Sequence, residues 1–278
     1  MGESVIVSGG GELRELLLPE GRIVRRMALE GATALCARGE SLYAASRWGE
    51  VIWQLDRRLL VPTGLFAGGP GVCRLLLSPC GTRLYALCGD ADSLLMLDAR
   101  SGAPLLLNRV GVGPCAMAMD ETGARIVVAG GGSGETVVLD AGTLRVERRL
   151  PASGMVFGAA LRAGAVYALS LDETMNTAVT AFFPSGGHAV QALPGMPGAL
   201  AVRGAQLIVA THAGVFLLAP DTLRIRACFD APGRAGRLLC AGAGLMMTDQ
   251  WSDGLYLRSG RWQLLAGQVS DAALLRDT

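Results

Sequence analysis

A pair of large apolar residues recurs along the chain at intervals of about forty residues, and this repeat constrains the fold more than any other feature. The pairs begin at Val5, Leu42, Leu84, Ile126, Val166, Leu207 and Leu245. Spacings of this size are typical of small units that cannot bury a core alone and stack on their neighbours. Seven such intervals account for all 278 residues. The sequence therefore predicts a single domain, 1–278, with no segment left for a second.

Each repeat contains four short segments separated by turn residues. Residues 73–113 contain the segments Cys73–Leu77, Leu84–Leu87, Leu94–Leu97 and Pro104–Arg109. The third segment ends in an aspartate in three consecutive repeats, at Asp56, Asp98 and Asp140. Short apolar segments between Gly- and Asp-rich turns are typical of antiparallel strands. The sequence therefore predicts an all-β protein, a seven-bladed β-propeller with four-stranded blades whose fourth strands are the outer edges.

The two ends of the chain predict how this ring closes. The first repeat begins at its second strand, around Val5–Val7, and Asp271–Asp277 matches the first-strand segment Cys115–Glu121 of a complete repeat. Because closure removes exposed strand edges, we expect residues 270–278 and 1–28 to form one composite blade. In that blade, Ala272–Leu275 pairs with the strand that contains Val5–Val7.

Two consecutive segments also resemble a known family. LYALCGDADSLLMLD, which begins at Leu84, and VGVGPCAMAMDETGARIVV, which begins at Val110, resemble the YVTN-type β-propeller repeat of bacterial proteins. In that repeat an apolar strand ends in Asp, and a Val-Gly-x-x-Pro step precedes the next unit. The resemblance covers mainly residues 30–150. It implies the propeller fold, and it implies no particular activity because such propellers serve many roles.

The hydropathy of the chain has a β-strand explanation. Mean hydropathy is +0.39, and the longest stretch without a formal charge is 174–202. That stretch contains Pro184, Pro194 and Pro197, so it cannot form one membrane-spanning helix. Strands that are buried on both faces are apolar without alternation. We therefore expect no membrane partner.

Charge and cysteine content exclude further classes. The formal net charge is +1, and all 25 basic residues are arginine. We therefore expect no nucleic-acid partner, no Schiff-base or phosphate-loop lysine, and no cofactor. The amino terminus lacks a basic head and a long apolar run, and the seven cysteines are an odd number. These features predict a cytoplasmic protein with reduced thiols, and we expect a monomer.

The loops between second and third strands hold the candidate binding residues. Propellers bind ligands mostly at the end formed by these loops and those between fourth and first strands. The candidates are Arg47, Trp48, Asp90, Asp92, Asp172, His212, Asp249, Trp251 and Asp253. Aromatic rings and charges around a concave mouth are suited to ligand binding. The leading prediction is a non-catalytic propeller that binds a protein segment or a small ligand there. The competing interpretation is a solvated surface with tryptophans packed between blades.

A second prediction assigns an enzyme to the same loops. In this alternative, a hydrolase or lyase uses His212 as a base, with Asp90, Asp172, Asp249 or Asp253 as an acid or metal ligand. The second histidine, His188, follows a hairpin at the opposite end of its blade, so the sequence predicts no two-histidine metal site. Geometry separates the two predictions, because an enzyme needs His212 within hydrogen-bonding reach of a carboxylate or metal.

Overall fold

The protein is a seven-bladed β-propeller. The computed structural model describes residues 3–275, which form 28 strands and, within that range, no helix. The strands are arranged in seven four-stranded sheets. The predicted fold class and blade number are therefore confirmed.

Six sheets each consist of four consecutive strands, which we call first to fourth. They are β4 (Ala32–Arg38), β5 (Ser41–Ser46), β6 (Val51–Asp56) and β7 (Val61–Ala67); β8 (Val72–Leu77), β9 (Arg83–Cys88), β10 (Ser93–Asp98) and β11 (Pro104–Arg109); β12 (Pro114–Met119), β13 (Arg125–Gly130), β14 (Glu135–Asp140) and β15 (Val146–Pro151); β16 (Met155–Arg162), β17 (Ala165–Leu171), β18 (Thr177–Phe182) and β19 (His188–Leu193); β20 (Pro197–Arg203), β21 (Gln206–Thr211), β22 (Gly214–Leu218) and β23 (Ile225–Phe229); β24 (Ala235–Ala241), β25 (Gly244–Asp249), β26 (Gly254–Arg258) and β27 (Trp262–Ala266).

The seventh sheet joins the two ends of the chain. Its order is β28 (Asp271–Leu275), β1 (Ser4–Gly9), β2 (Glu12–Leu17) and β3 (Arg22–Ala28). β28 and β1 are antiparallel, and Val5 pairs with Leu274 while Val7 pairs with Ala272. The predicted composite blade, with Ala272–Leu275 beside the strand that contains Val5–Val7, is therefore confirmed for the described residues; positions 1–2 and 276–278 lie outside them.

Burial across the sheets accounts for the high hydropathy. Every residue of β1 and of β17 is buried, as expected for strands covered on both faces. The fourth strand β11, in contrast, exposes Leu105, Leu106 and Leu107. The fourth strand is an edge of each sheet, as predicted, and in β11 the exposed edge is apolar.

The aspartates that end the third strands hold the following turns. The carboxylate of Asp98 accepts hydrogen bonds from the backbone N–H and the hydroxyl of Ser101, both at 2.8 Å. Asp140 accepts the same pair of bonds from Thr143. These bonds lower the pKa of both carboxyl groups. The repeated aspartate therefore has a structural role, because its side chain replaces a backbone acceptor in the turn.

A β-bulge recurs in the first strand of five sheets. The residue that the pairing skips is Thr33, Cys73, Cys115, Phe157 or Gly198. A bulge places one extra residue in one strand and redirects the side chains around it. The side chain of the residue after each bulge can therefore differ from one repeat to the next.

The chain divides into two compact units, each with its own core. The terminal unit comprises the described residues up to Ala91, Leu95–Leu105, and the described residues from Gly236 onward; the middle unit comprises Asp92–Leu94 and Leu106–Ala235. In the terminal unit, the buried Tyr43 hydroxyl donates a hydrogen bond to the carbonyl of Ala99 at 2.7 Å. The single-domain boundary, 1–278, remains a prediction.

Candidate functional site

The predicted site residues fall into two sets. Arg47, Trp48, Asp90, Asp249, Trp251 and Asp253 belong to the terminal unit, and Asp92, Asp172 and His212 belong to the middle unit. All nine lie at the end of a second strand or in the loop that joins it to the third strand, as predicted.

The two loop tryptophans are exposed. Trp48 follows β5 with 79% of its surface accessible, and Trp251 follows β25 with 64%. Neither ring is packed in a core, so the competing interpretation of buried tryptophans is not what the structure shows. The guanidinium of Arg47 lies 5.4 Å from the ring centroid of Trp48, and its Nη2 is 3.2 Å from Oδ1 of Asp90. Three predicted residues therefore form one contiguous surface.

Asp249 is buried and holds its own loop. Its carboxylate accepts hydrogen bonds from the backbone N–H groups of Trp251 and Ser252, both at 3.1 Å, and from the Ser252 hydroxyl. Its role in the structure is to fix the conformation of residues 250–253. These bonds fix the loop in the conformation in which Trp251 is exposed.

A cavity of about 160 Å³ lies beside this loop. It is lined by Arg74, Gly236, Arg237, Thr248, Asp249, Gln250, Asp253, Val269, Ser270 and Asp271. Two predicted residues, Asp249 and Asp253, are among them. Gly236 keeps the cavity open, because a Cβ at this position would lie 2.9 Å from Cγ of Gln250 and 3.1 Å from Oγ1 of Thr248.

Three lining residues that are not among the sequence-predicted candidates occupy equivalent positions of the repeat. Arg74 follows the bulge in β8 and pairs with Leu87, the fifth residue of β9. Asp271 pairs in the same way with Ser8, the fifth residue of β1, and Arg237 is the third residue of β24, as Arg74 is of β8. The other four sheets have a small residue at this position: Ala34, Ala116, Gly158 and Ala199.

The charges of Arg237 and Asp271 are paired. Nη1 of Arg237 donates to both carboxylate oxygens of Asp271, at 2.9 and 2.7 Å, and the N–H of Leu35 donates to Asp271 at 2.8 Å. Burial is the largest single influence and lowers the pKa of Arg237, but the charge of Asp271 and its hydrogen bond together outweigh burial, so the pKa is raised. The pair therefore remains ionised and ties the first strands β24, β28 and β4 together.

In the middle unit, the three predicted residues accept hydrogen bonds from neighbouring loop residues. Asp92 accepts a hydrogen bond from the N–H of Gly113 at 2.8 Å. Hydrogen bonds from Thr174 and Asn176 lower the pKa of Asp172. Nδ1 of His212 accepts a hydrogen bond from the N–H of Met196 at 2.7 Å. This hydrogen bond occupies Nδ1 of His212 with a backbone group.

Among residues 3–275, no cluster of three or more His, Cys, Asp or Glu side chains is arranged to hold a metal ion. Within the same range, no helix has the length and hydrophobicity needed to cross a membrane.

The seven cysteines are free thiols, and two of them differ strongly in acidity. Cys80 lies in the exposed turn between β8 and β9, where the hydroxyls of Ser78 and Thr82 lower its pKa to about 7. Burial raises the pKa of Cys36 to about 11. Because the thiolate is the nucleophile, we expect iodoacetamide at pH 8 to alkylate Cys80 well before Cys36. Peptide mass spectrometry over time measures both rates, and equal rates would contradict this assignment.

Comparison with known proteins supports the fold. No protein-family model matches the chain, and no curated protein matches it. A functionally unknown protein from Desulfotomaculum acetoxidans DSM 771 has 12% sequence identity and a TM-score of 0.82, with 100% of each chain covered. Kuenenia stuttgartiensis hydrazine synthase has 14% identity and a TM-score of 0.76, with 88% of each chain covered. U3-55K has 13% identity and a TM-score of 0.75, with 88% of this chain and 84% of that chain covered. The chain is thus a seven-bladed propeller that resembles an uncharacterised bacterial protein, and identities this low show the fold alone.

Proposed function

We propose that this protein is a non-catalytic binding propeller that takes its ligand at the loop face of the terminal unit. The observation that carries the proposal is the exposure of Trp48 and Trp251 on loops whose conformation is fixed by hydrogen bonds. An exposed indole offers a large apolar area and one N–H donor, which is why tryptophan is frequent among binding hot spots. The cavity beside the Trp251 loop adds the concave element of the site.

The same geometry supports binding over catalysis. The enzyme alternative needs His212 as a base, but its Nδ1 already accepts a hydrogen bond from the backbone N–H of Met196. The carboxylate of Asp249, one of the proposed acids, accepts three hydrogen bonds from its own loop. A reaction at these residues would have to break contacts that hold the loops in place.

We also propose that the ligand is bound by a cytoplasmic monomer whose blades within residues 30–150 are of the YVTN type. The Val-Gly-x-x-Pro step from Val110 to Pro114 and the turn-capping aspartates support the repeat assignment. A formal net charge of +1 and the absence of a basic block argue against a nucleic-acid partner.

The test of the proposal replaces the tryptophans one at a time. Because both rings are exposed, Trp48→Ala and Trp251→Ala are expected to leave the melting temperature within about 2 °C of the parent chain. A ligand of the loop face is expected to lose roughly 2 kcal/mol of binding free energy in either variant. Differential scanning fluorimetry measures the first effect, and titration with hits from a screen of metabolites and short peptides measures the second.

Leu59→Ala is the matched control. Leu59 is 71% exposed, but it follows the third strand β6 and so lies at the opposite end of the blade that holds Trp48. The control should lower neither stability nor affinity. If the tryptophan variants melt well below the parent chain, or if every ligand binds them as tightly as the parent, the proposal is wrong. Turnover of a hit compound that disappears in His212→Ala would instead support the enzyme alternative.

A further inference from the structure

We infer that the 160 Å³ cavity binds a small zwitterion, a molecule of amino-acid size with one carboxylate and one ammonium group. This inference rests on the proposed function and specifies its ligand. It follows from the charges that line the cavity, once those already paired within the protein are set aside.

Most of the lining charges are already used. Arg237 and Asp271 neutralise each other through two contacts of 2.9 and 2.7 Å. Asp249 accepts three hydrogen bonds from its own loop. The two that remain are Arg74, a cation, and Asp253, an anion.

Arg74 and Asp253 each retain capacity for a ligand. Arg74 donates one hydrogen bond, from Nη1 to the carbonyl of Cys73 at 2.8 Å, and within residues 3–275 it forms no ion pair. A guanidinium has five N–H donors in a fork that matches a carboxylate. The backbone carbonyl of Asp253 accepts a hydrogen bond from the N–H of Val269. Its carboxylate accepts no hydrogen bond from the described residues.

A ligand with a single charge would satisfy only part of this lining. A simple carboxylate would suit Arg74 but would leave Asp253 without a counter-ion. A simple ammonium ion would suit Asp253 but would leave Arg74 without one. A molecule that carries both groups meets both requirements, since opposite charges attract at short range.

A hydroxyl group also lines the cavity. It belongs to Thr248, which is 4% exposed. A threonine hydroxyl can donate one hydrogen bond and accept others, so it can serve either charged group of a zwitterion. A cavity of roughly 150 Å³ accommodates benzene, with its six heavy atoms, which limits the ligand to about the size of a small amino acid.

The test compares three probes of matched length: 3-aminopropanoate, propanoate and propylammonium. Isothermal titration calorimetry is expected to show that the zwitterion binds at least about ten-fold more tightly than either singly charged probe. Arg74→Gln should weaken binding of the zwitterion and of propanoate, and Asp253→Asn should weaken binding of the zwitterion and of propylammonium. Asparagine tolerates the positive φ of 48° at this exposed position, so the second variant keeps the test valid if Arg74→Gln fails to fold.

Arg58→Gln is the control, because Arg58 belongs to an exposed ion pair with Glu40 and does not line the cavity. Equal affinity for propanoate, zwitterion binding that survives both Arg74→Gln and Asp253→Asn, or no binding of any probe would each overturn the inference. If other ligands still need Trp48 or Trp251 in those cases, the proposed function stands without it. If no ligand depends on either tryptophan, the proposed function itself fails.

Discussion

Deletion of residues 271–278 is expected to unfold or aggregate the protein. The deletion removes β28, whose residues Ala272, Ala273 and Leu275 are buried, and exposes the edge of β1, where all six residues are buried. A buried leucine contributes roughly 2–5 kcal/mol, and the net stability of a whole domain is only about 5–15 kcal/mol. The exposed edge is also a template for pairing with another chain. Circular dichroism melting and size-exclusion chromatography measure the two outcomes.

A synthetic peptide with the sequence of residues 271–278 provides the control. If closure is the reason for the loss, the peptide added to the truncated chain should pair with β1 and raise its melting temperature. A scrambled peptide of the same composition should not. An unchanged melting temperature of the truncated chain would contradict the importance of the composite blade, even though the pairing itself is seen in the structure.

The fold was predictable because its signals are local and repeated. Leu84–Leu87 and Leu94–Leu97 alternate with turns whose residues have few conformational alternatives, and the same pattern returns about forty residues later. The end of each third strand was marked by an aspartate because the turn needs an acceptor there, as Asp98 and Asp140 show. The exposure of the leucines in β11 was not predicted. A run of leucines has the same apolar sequence pattern whether the strand is exposed or buried.

The site was predictable only in part. Trp48 and Trp251 were found because large rings are unusual in loops that strand pairing does not require. Arg74 and Arg237 were missed, although a charge inside an apolar first strand was a visible signal. Their significance appears only when the first strands are aligned by their bulges and pairing partners. Asp271 depends on a partner 34 residues away and on the N–H of Leu35, 236 residues away, and no local pattern encodes either contact.

Asp271→Ala is expected to destabilise the protein by about 3 kcal/mol, a large effect for a single substitution. Two groups lose their partner at once: the Arg237 guanidinium, whose side chain is 27% exposed, and the buried N–H of Leu35. Removing one member of a buried ion pair leaves an uncompensated charge, which costs roughly 3–5 kcal/mol. We take the lower end because Arg237 also lines a second cavity of about 370 Å³, through which water can partly solvate it.

Two comparisons show whether this cost arises from the uncompensated charge. Glu40→Ala breaks the Arg58–Glu40 pair, whose atoms approach to 2.9 Å, against 2.7 Å for Arg237 and Asp271, but whose side chains are 78% and 66% exposed. It should cost less than about 1 kcal/mol, because water and salt screen exposed pairs. The double variant Arg237→Met with Asp271→Ala removes both charges and should recover much of the loss, leaving mainly the unpaired Leu35 N–H at about 1–3 kcal/mol. Urea denaturation of the parent chain, the two single variants and the double variant gives the free energy of unfolding of each. A double variant no more stable than Asp271→Ala alone would mean that β28 is held by packing, and that the ion pair of Arg237 and Asp271 serves the cavity it lines instead of the closure of the ring.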